Sequence, residues 1–388
     1  MSRYLLILLC WVSLFSRSFG QELEIFGYYE PQYSGLSLDN KYIQLISNKL
    51  RVDLSSVMSN NIEFAANVDL ITYHGNTNWY IPDFLPRSIA DSLRILPPGF
   101  LTVLYKDTLF LDNVYVKFPI GRFDITAGKQ QISLGTGYVW NPTDLFNYKS
   151  LIEPAYEQPG HNAFRIDMTL ISRYNVSFIF DAGETGERST KFVRLKGGLG
   201  HFDFSGVFIE TIYEPIDYRT YTYKSMYRRL YGGDFAGELL GLGIWGEGGY
   251  NDFTLHDNLW EIDFGVDYTL DNELYVLAEY YYNGFGKDNS DDYDLNDWML
   301  LFTGEIKSIS RENLYIYADY PLTDLIHLNN SIVFSISDNS AAFIPGFYYS
   351  FAENLDINLF MYINTGKPST AYSDELGQSG LIRLRYYF

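Results

Sequence analysis

The feature that most constrains the fold of this 388-residue chain is a repeated two-residue alternation of apolar and polar side chains. In the segment NLDINLFMYIN, which starts at Asn354, every second residue is Leu, Ile or Met, and most of the residues between them are polar. The segments NIEFAANVDL from Asn61 and EIDFGVDYT from Glu261 alternate in the same way. Because successive side chains of a β-strand point to opposite faces, each segment predicts a strand with one apolar and one polar face.

Strand length and spacing distinguish a soluble sandwich from a membrane barrel. The predicted strands run to about ten residues and are joined alternately by tight turns and longer loops, which is the pattern of a transmembrane barrel. The longer loops are 75–107, 135–160, 212–227, 284–310 and 365–378. If the tight turns face the periplasm, strand parity requires a first strand at Glu24–Tyr33. The sequence therefore predicts an all-β, antiparallel transmembrane barrel of about 18 strands, with about 16 as the alternative.

The last predicted strand, GLIRLRYYF from Gly380, ends the chain on an aromatic residue. Its alternation places Tyr386 and Phe388 on the outer face, and Arg383 and Arg385 on the inner face. This strand resembles the C-terminal assembly signal of bacterial outer-membrane barrels. The resemblance implies that Tyr386 and Phe388 are recognised by the barrel-assembly machinery.

Residues 1–20 have the pattern of a secretory signal peptide. Arg3 gives a positive start, the run Tyr4–Phe15 is apolar, and small residues precede Gln21. The apolar run is too short to span a bilayer, which takes about 20 residues. Cleavage would remove the single cysteine, Cys10, and leave a barrel domain of residues 21–388 without disulfides or cysteine ligands.

The overall charge excludes one class of partner. The chain has 28 Lys and Arg residues against 48 Asp and Glu residues, whereas nucleic-acid binding requires clustered positive charge. Its 35 tyrosines favour a membrane protein, because tyrosine is enriched where an apolar environment meets water.

A glycine-rich stretch, GKQQISLGTGYVWNPTDLF, follows the predicted fourth strand. It contains no phosphate-binding pattern. A strand ending in G-[RK]-Q-x-[IV]-x-x-G, followed by aromatic residues and N-P-x-D, resembles a group of porin-like outer-membrane barrels of Gram-negative bacteria. The resemblance implies a porin or transport role and names no solute. The matching residues are Gly128, Lys129, Gln130, Ile132, Gly135, Trp140, Asn141, Pro142 and Asp144.

Two of the longer loops carry helix signals. In PRSIADSLRILPPG, Ser88 is a capping residue, apolar residues follow at helical spacing up to Leu96, and two prolines end the pattern. In NPTD, Asn141 is a capping residue and Pro142 occupies the first helical position. We expect short helices in loops 75–107 and 135–160, which either fold inward and constrict the pore or cap the outer surface.

The inward faces and the glycine-rich stretch supply the candidate pore residues. Acids outnumber bases on the predicted inward faces, so we expect a mild preference for cations, with a basic strip along one wall. The alternative is structural charge pairing across the lumen. The candidate pore and constriction residues are Lys129, Gln130, Trp140, Asp144, Arg122, Asp124, Arg165, Arg194, Arg383 and Arg385.

Metal and catalytic sites receive little support. The run DNSDDYDLND offers oxygen ligands for a weak calcium site at Asp288, Asp291, Asp292 and Asp294, but it lacks the EF-hand glycine and glutamate, and a solvated acidic loop is the alternative. No cofactor is expected. The five histidines are scattered, and a pairing of His161 with Asp144 is left open. We do not expect an enzyme.

These patterns predict a porin-like channel for passive diffusion of small polar solutes in the outer membrane of a Gram-negative-type bacterium. One alternative is a specific transporter of hydrophobic compounds. Another is a scaffold barrel that holds a partner protein in its lumen. The expected partners are outer-membrane lipid and lipopolysaccharide, the barrel-assembly machinery and small solutes, and not nucleic acid. The sequence does not determine the oligomeric state.

Overall fold

The chain forms one closed antiparallel sheet of 18 strands. The computed structural model describes residues 23–38, 41–58, 61–93, 98–183, 189–218, 220 and 222–388. The predicted signal peptide lies outside the described residues. The barrel strands are β1 (Leu23–Leu38), β2 (Lys41–Met58), β3 (Ile62–Gly75), β4 (Thr108–Ile120), β5 (Phe123–Gln131), β6 (Gly160–Ile171), β7 (Tyr174–Asp181), β8 (Thr190–Leu199), β9 (Phe202–Tyr213), β10 (Met226–Leu239), β11 (Leu242–Phe253), β12 (Leu259–Thr269), β13 (Tyr275–Asn283), β14 (Glu312–Thr323), β15 (Ile326–Ser335), β16 (Ser340–Ala352), β17 (Leu355–Thr365) and β18 (Gln378–Tyr387).

Pairing of the first and last strands closes the barrel. β1 pairs with β2 along its whole length and with β18 on its other side, from Tyr28↔Tyr387 to Ser37↔Gln378. At the end of the chain, the N–H of Phe388 donates to Gly27 O and the N–H of Gly27 donates to Phe388 O, both at 3.1 Å. The prediction of 18 strands, rather than 16, is confirmed.

The alternation of the sequence places the apolar side chains on the outside. On β12, Asp263 is 1% exposed and its neighbour Phe264 is 48% exposed; on β14, Tyr315 is 1% exposed and Ile316 is 45% exposed. A closed barrel leaves no unpaired backbone groups facing lipid, and an apolar outer face matches the hydrocarbon core of a bilayer. The chain is therefore an outer-membrane β-barrel. None of the helices among the described residues is long and apolar enough to cross a membrane.

Long and short connections separate to opposite ends of the barrel, as the loop lengths predict. The longer loops contain two helices, α1 (Arg87–Leu93) and α2 (Leu295–Phe302). They also contain two small hairpins, Asn78–Tyr80 with Thr102–Leu104 and Ile216–Asp217 with Thr222–Tyr223, and short 3-10 helices at Ile81–Phe84, Pro98–Leu101, Ser290–Asp292 and Asp374–Leu376. A helix is present where the sequence predicts one, but it begins at Arg87, so Ser88 lies inside it and is not its cap. The predicted continuation past Leu93 lies outside the described residues.

The prediction of a second loop helix, which would begin at Asn141, is wrong. Residues 141–147 form turns, and no helix occurs between β5 and β6. The groups that would start a helix there have other partners: the N–H of Thr143 donates to Glu247, and Asp144 accepts the N–H of Leu134.

The loops at the long-loop end pack into one apolar cluster. It joins Ala90 and Leu93 of α1 to Trp298 and Met299 of α2, and it continues to Trp140 between β5 and β6. Burial of these side chains gives the loops the largest part of their packing energy. α1 therefore belongs to a packed layer over the lumen.

An arginine placed on the outer face should destabilise the barrel, whereas one placed on the inner face should not. Ile332, 42% exposed on β15, faces lipid next to Ile316 and Phe343. We expect Ile332→Arg to lower the free energy of unfolding by about 2–4 kcal/mol, the cost of arginine near the bilayer midplane. The matched control is Asn358→Arg, at a residue that lines a cavity inside the barrel. Urea titration of the refolded proteins in bilayers measures both changes, and equal destabilisation would contradict the assigned faces.

Candidate functional site: a segment folded into the lumen

The residues between β5 and β6, 132–159, leave the wall and cross the inside of the barrel; we call them the inward segment. They contact β11 and β13 on one side of the lumen, and β1, β2 and β18 on the other. Its bounds agree with the predicted loop 135–160, and it contains most of the glycine-rich stretch. The segment is held by an apolar contact, by buried carboxylates and by an ion-pair network.

The apolar contact lies at the start of the inward segment. Ile132 and Leu134, 0% and 5% exposed, pack on an apolar patch of the inner wall. This patch is unusual for a lumen, where alternation normally places polar residues. Its residues come from β6 to β10 and are Ala163, Ile179, Phe192, Val207, Ile209 and Leu230.

Glu247 of β11 binds the first turn of the segment. Its carboxylate accepts hydrogen bonds from the N–H groups of Thr136 at 2.8 Å, Gly137 at 3.3 Å and Thr143 at 2.5 Å. The Thr143 hydroxyl also donates to it, at 2.7 Å. Successive N–H groups that converge in this way form an anion-binding nest, and here the anion is a side chain of the barrel wall.

Glu279 of β13 binds the residues between these contacts. It accepts hydrogen bonds from the N–H groups of Tyr138, Val139 at 2.8 Å and Trp140 at 2.9 Å. The indole ring of Trp140 then stacks on Tyr281, with ring centroids 5.2 Å apart and planes 13° apart. The two wall glutamates thus satisfy six backbone N–H groups of a buried segment that has no regular secondary structure of its own.

Two glycines permit the close approach to Glu247. Gly135 has φ +80°, and a Cβ there would overlap the Glu247 carboxylate. A Cβ at Gly137 would overlap the Trp140 carbonyl oxygen. These positions explain the GTG sequence without a phosphate ligand.

The same contacts explain why NPTD does not start a helix. Asp144 accepts hydrogen bonds from the N–H groups of Phe146 at 2.8 Å and Asn147 at 3.1 Å, as a cap would. Its other oxygen accepts the N–H of Leu134 at 3.2 Å, which folds the chain back on itself. The N–H of Thr143, inside the predicted first turn, is bound to Glu247 across the lumen. A turn results because these long-range contacts replace the helical ones.

Ion pairs hold the far end of the inward segment. Arg383 of β18 donates to both carboxylate oxygens of Glu153, at 2.7 and 2.5 Å. Glu157 accepts from Lys49 at 2.9 Å and Arg51 at 3.1 Å, both on β2. Charge-assisted hydrogen bonds of this kind are about twice as strong as neutral ones.

Tyr156 lies at the centre of this network. Its hydroxyl donates to Glu30 at 2.9 Å, and the Arg383 guanidinium lies over its ring, 4.7 Å from the centroid. Arg385 also pairs with Glu30 and lies 5.5 Å from the Tyr156 centroid. Burial, followed by the charge of Glu30, raises the pKa of Tyr156 to about 12. The tyrosine therefore remains a neutral hydrogen-bond donor.

A half-buried cation, Lys149, lies within the segment itself. The Lys149 ammonium donates to Gly137 O at 2.7 Å and to Tyr138 O at 3.1 Å. Burial lowers its pKa, although nearby carboxylates, first Glu279, oppose this effect. Lys149 thus ties the later part of the segment to its first turn.

Cavities remain on both sides of the inward segment. One, of about 260 Å³, lies beside Glu153–Glu157 and is lined by Arg383 and Arg385. Another, of about 320 Å³, is lined by Arg228 of β10 and Glu261 of β12. Both are polar spaces of the size that admits small solutes rather than macromolecules.

The structure brings some of the predicted site residues together and leaves others apart. Trp140 and Asp144 lie in the inward segment, and Arg383 and Arg385 lie at its far end. Gln130 lies on β5, just before the inward segment, and its Nε2 donates to Ala163 O at 3.0 Å.

The remaining basic candidates lie on the wall of β5 to β8. Arg165 forms a two-point pair with Asp167, at 2.6 and 3.0 Å, and Arg194 lies 3.8 Å from Asp234. Arg122 is exposed in the turn between β4 and β5, and Asp124 lies near that end, opposite Asp167.

Lys129 does not line the pore, contrary to the expectation. β5 continues regularly through Gln131, so Lys129 shares the outer face with Phe123, Ile125 and Ala127. Its ammonium donates to Leu111 O at 2.8 Å and lies over the ring of Phe110. The sequence predicts that the alternation ends at Gly128, whereas the pairing of β5 continues through Gln131.

The calcium site predicted in the acidic loop is also not found. Asp294 caps α2 by accepting the N–H groups of Asn296 and Asp297, and Asp288 pairs with Arg311 at 2.7 Å. Asp291 and Asp292 are exposed in the short helix Ser290–Asp292. In the part of the chain that the structure describes, no group of three or more acidic, histidine or cysteine residues could hold a metal ion.

His161 is linked to Asp144 through Asn147, whose Nδ2 donates to Asp144 at 2.9 Å. Its ring lies 3.3 Å from Asn147 Oδ1 and 3.7 Å from Asp181, and it packs edge-on against Phe146. These neighbours position the imidazole against the inward segment.

The residues that sequence reasoning missed are the partners of the inward segment. Glu247 was not singled out, although glycines surround it in GIWGEGGY. A lone inward carboxylate among side chains too small to bind it was an available signal. Lys49, Arg51, Glu153 and Glu157 carried no comparable signal, because their pairing depends on contacts more than 100 residues apart.

Comparison with known proteins concerns the fold. No family model matches the chain, and no curated protein is significantly similar in sequence. Among solved structures, OccAB4 of Acinetobacter baumannii is similar with a TM-score of 0.58 and 8% identity, over 95% of this chain and 98% of that one.

Two structures from Pseudomonas aeruginosa are similar to the same degree. OccK5 (OpdH) gives a TM-score of 0.59 and 9% identity over 95% of this chain and 98% of that one. OccK11 (OpdR) gives a TM-score of 0.57 and 8% identity over 94% of this chain and 96% of that one. At these identities the similarity concerns the barrel architecture alone, and the glycine-rich motif remains a resemblance.

Removing the Glu279 carboxylate should release the inward segment. In Glu279→Ala, three buried N–H groups lose their acceptor, at about 1–3 kcal/mol each. We expect trypsin to cleave the folded barrel after Lys149 much faster than in the unmodified protein. The control is Glu238→Ala, at an exposed carboxylate near the end of β10. Mass spectrometry of timed digests measures cleavage, and equal rates in the two variants would show that Glu279 does not hold the segment.

Proposed function

We propose that this protein is an outer-membrane channel for passive diffusion of small polar solutes, with the inward segment as its constriction. One observation carries the proposal: a segment tied to opposite walls by Glu279 and Arg383 crosses the lumen and leaves polar cavities beside it. A barrel of 18 strands is wide enough for an aqueous lumen unless a loop narrows it. The barrel architecture that the chain shares with OccAB4 and OccK5 is compatible with this function.

The mechanism is selection by size and by charge. The inward segment limits the cross-section, and guanidinium and carboxylate groups along the cavities provide hydrogen bonds that replace part of a solute's hydration shell. We infer that Trp140, Asp144, Gln130, Arg383 and Arg385 define this narrow region. No covalent chemistry is required, and the proposal includes no cofactor.

The proposal also covers the partners at the barrel surface. The exposed Tyr386 and Phe388, 50% and 51%, would present the C-terminal strand to the barrel-assembly machinery. The apolar outer face would contact lipid and, at the long-loop end, lipopolysaccharide. Of the two alternatives, a scaffold is disfavoured because the inward segment occupies the space that a partner protein would need. Transport of a hydrophobic compound is favoured by one apolar cavity, which is considered below.

Conductance of single barrels tests the proposal. We expect the refolded protein to form small, regular channels in planar bilayers, because the inward segment remains bound. Glu279→Ala should raise the unit conductance about twofold or more, since the bore of such a barrel is wide once the segment moves. Glu238→Ala serves as the control and should match the unmodified protein. If neither the unmodified barrel nor Glu279→Ala conducts, the channel proposal is wrong and the scaffold is favoured.

Charge replacement at the polar cavity tests the source of ion selectivity. Arg385→Gln removes one positive charge beside Glu30, which then remains less compensated. We expect the reversal potential in a KCl gradient to shift towards cation preference, because rings of one sign select ions of the other.

The matched control is Lys224→Gln, the same charge change at an exposed residue in the loop between β9 and β10. A shift of equal size in both variants would show that overall charge, rather than the cavity, determines selectivity. Preference for anions in the unmodified channel would exclude the expected cation preference.

A further inference from the structure

An apolar cavity of about 480 Å³ lies at the long-loop end of the lumen, above the inward segment. We call it the aromatic chamber. Its volume falls within the range of small-molecule sites, about 300–1,000 Å³. Its lining differs from that of the polar cavities: Tyr148 and Leu151 come from the inward segment, Trp298 and Phe302 from α2, Tyr362 from β17 and Tyr372 from the loop 366–377.

Two residues that line this chamber each have a buried polar atom without a hydrogen-bond partner among the described residues. Asn364, 8% exposed, donates its Nδ2 to Gly377 O at 2.8 Å, and this bond leaves its Oδ1 without a donor. The indole Nε1 of Trp298, 3% exposed, has no acceptor. An unpaired buried polar group costs about 1–3 kcal/mol, and folded proteins contain few of them. One acceptor and one donor are therefore unpaired in the wall of an otherwise apolar cavity.

The charged groups in the chamber lining do not favour a charged ligand. Lys307 is the cation of the chamber wall, and its ammonium lies 3.5 Å from Glu261 Oε1. The pair neutralises itself, so an uncharged molecule fits the electrostatics. A charged solute would lose its hydration in the chamber without gaining an opposite charge.

Aromatic rings lead towards the chamber from the loop layer. Trp79 stacks on Phe84 with ring centroids 4.9 Å apart and planes 22° apart, and Phe84 lies 6.5 Å from Phe302. All three side chains line the chamber. Ring faces arranged in this way favour a planar aromatic molecule over an alkyl chain, because stacked and edge-on ring pairs add to the burial energy.

We propose that the aromatic chamber binds an uncharged aromatic solute that carries a hydroxyl group, a compound of the phenol class. The hydroxyl of the solute donates to Asn364 Oδ1, one of its oxygens accepts from Trp298 Nε1, and its ring packs among the aromatic side chains. This inference deepens the proposed channel function by naming a solute class that is held before it passes the constriction. Binding itself does not require conduction.

Calorimetry with refolded full-length mature protein in nanodiscs tests the proposal. The probe is 4-ethylphenol, and the comparison is ethylbenzene, which has the same ring and no hydroxyl. Empty nanodiscs provide the correction for partition into lipid. We expect 4-ethylphenol to bind about tenfold more tightly than ethylbenzene, the effect of one or two neutral hydrogen bonds. Equal affinities, or no binding of either compound, would overturn the proposal.

Two substitutions assign the binding to this cavity. Asn364→Leu removes the free acceptor at similar volume, and it should weaken 4-ethylphenol binding about tenfold while leaving ethylbenzene unchanged. Leu376→Trp fills the chamber from the loop 366–377, without touching Asn364's bond to Gly377, and should abolish binding of both compounds. Glu238→Ala is the control and should bind both as the unmodified protein does.

The outcomes separate this inference from the channel proposal. Retained 4-ethylphenol affinity in both Asn364→Leu and Leu376→Trp would place the binding elsewhere and overturn the inference. Tight, variant-sensitive binding by a barrel that does not conduct would support the chamber and refute the channel. Conductance without binding would do the reverse.

Discussion

The hydrogen bonds from backbone N–H groups to Glu247 and Glu279 are the interaction on which the arrangement of the lumen depends. A chain segment buried without helix or strand must still satisfy its N–H groups, and in the interior of a barrel the wall is the nearest source of acceptors. Glu247 lies opposite Asp263 in the β11–β12 register, and Glu279 lies opposite Gly265 on the same face. The two carboxylates therefore lie on either side of β12, offset by two residues, and together they bind the N–H groups that the missing secondary structure would have paired.

This anchoring changes the meaning of the charges inside the barrel. Taken singly from the sequence, Glu279, Arg383 and Arg385 appear as wall charges that select ions. In the structure the first binds peptide groups, and the other two bind Glu153 and Glu30. In the proposed channel, ion selectivity would then depend on the charge that remains uncompensated beside the inward segment rather than on the sum of charges over the inner faces. The charges counted along each strand of the sequence are thus a poor guide to the electric field inside the lumen.

The sequence predicted the barrel well because alternation and parity act locally and repeatedly. The alternation within each strand identifies its inner and outer faces independently of the other strands. The even number of strands follows from the positions of the long and short connections, so errors at single strand ends do not accumulate. Closure between β1 and β18 follows from the same rule. The helix around Ser88 was predicted because its apolar residues recur at helical spacing within a short stretch, although Ser88 lies inside the helix and its hydroxyl pairs with Ser369 of another loop.

The inward segment was predicted less well, for a physical reason. NPTD has the residues of a helix start, but Thr143 finds a stronger acceptor in Glu247, 104 residues away in the chain. Lys129 was misplaced because Gly128 suggested an early end to β5, whereas the pairing continues through Gln131. A local sequence pattern predicts the structure that a segment would adopt in isolation. The conformation of the inward segment is determined by contacts with residues that are distant in the sequence, and a local pattern contains no information about them.

The two ends of the inward segment are held by different physics, and this difference has a functional consequence. Most residues from Ile132 to Asp144 are buried, and several of their backbone N–H groups bind buried carboxylates, so water and salt compete weakly with these contacts. Residues from Glu153 to Glu157 are held by ion pairs at the edge of a polar cavity, where Glu157 is one-third exposed. Partly exposed ion pairs weaken as salt screens them, whereas the buried hydrogen bonds do not. If the inward segment is the constriction, as proposed, a change in pore width with ionic strength would begin at the Glu153–Glu157 end, while the turn around Trp140 would stay in place.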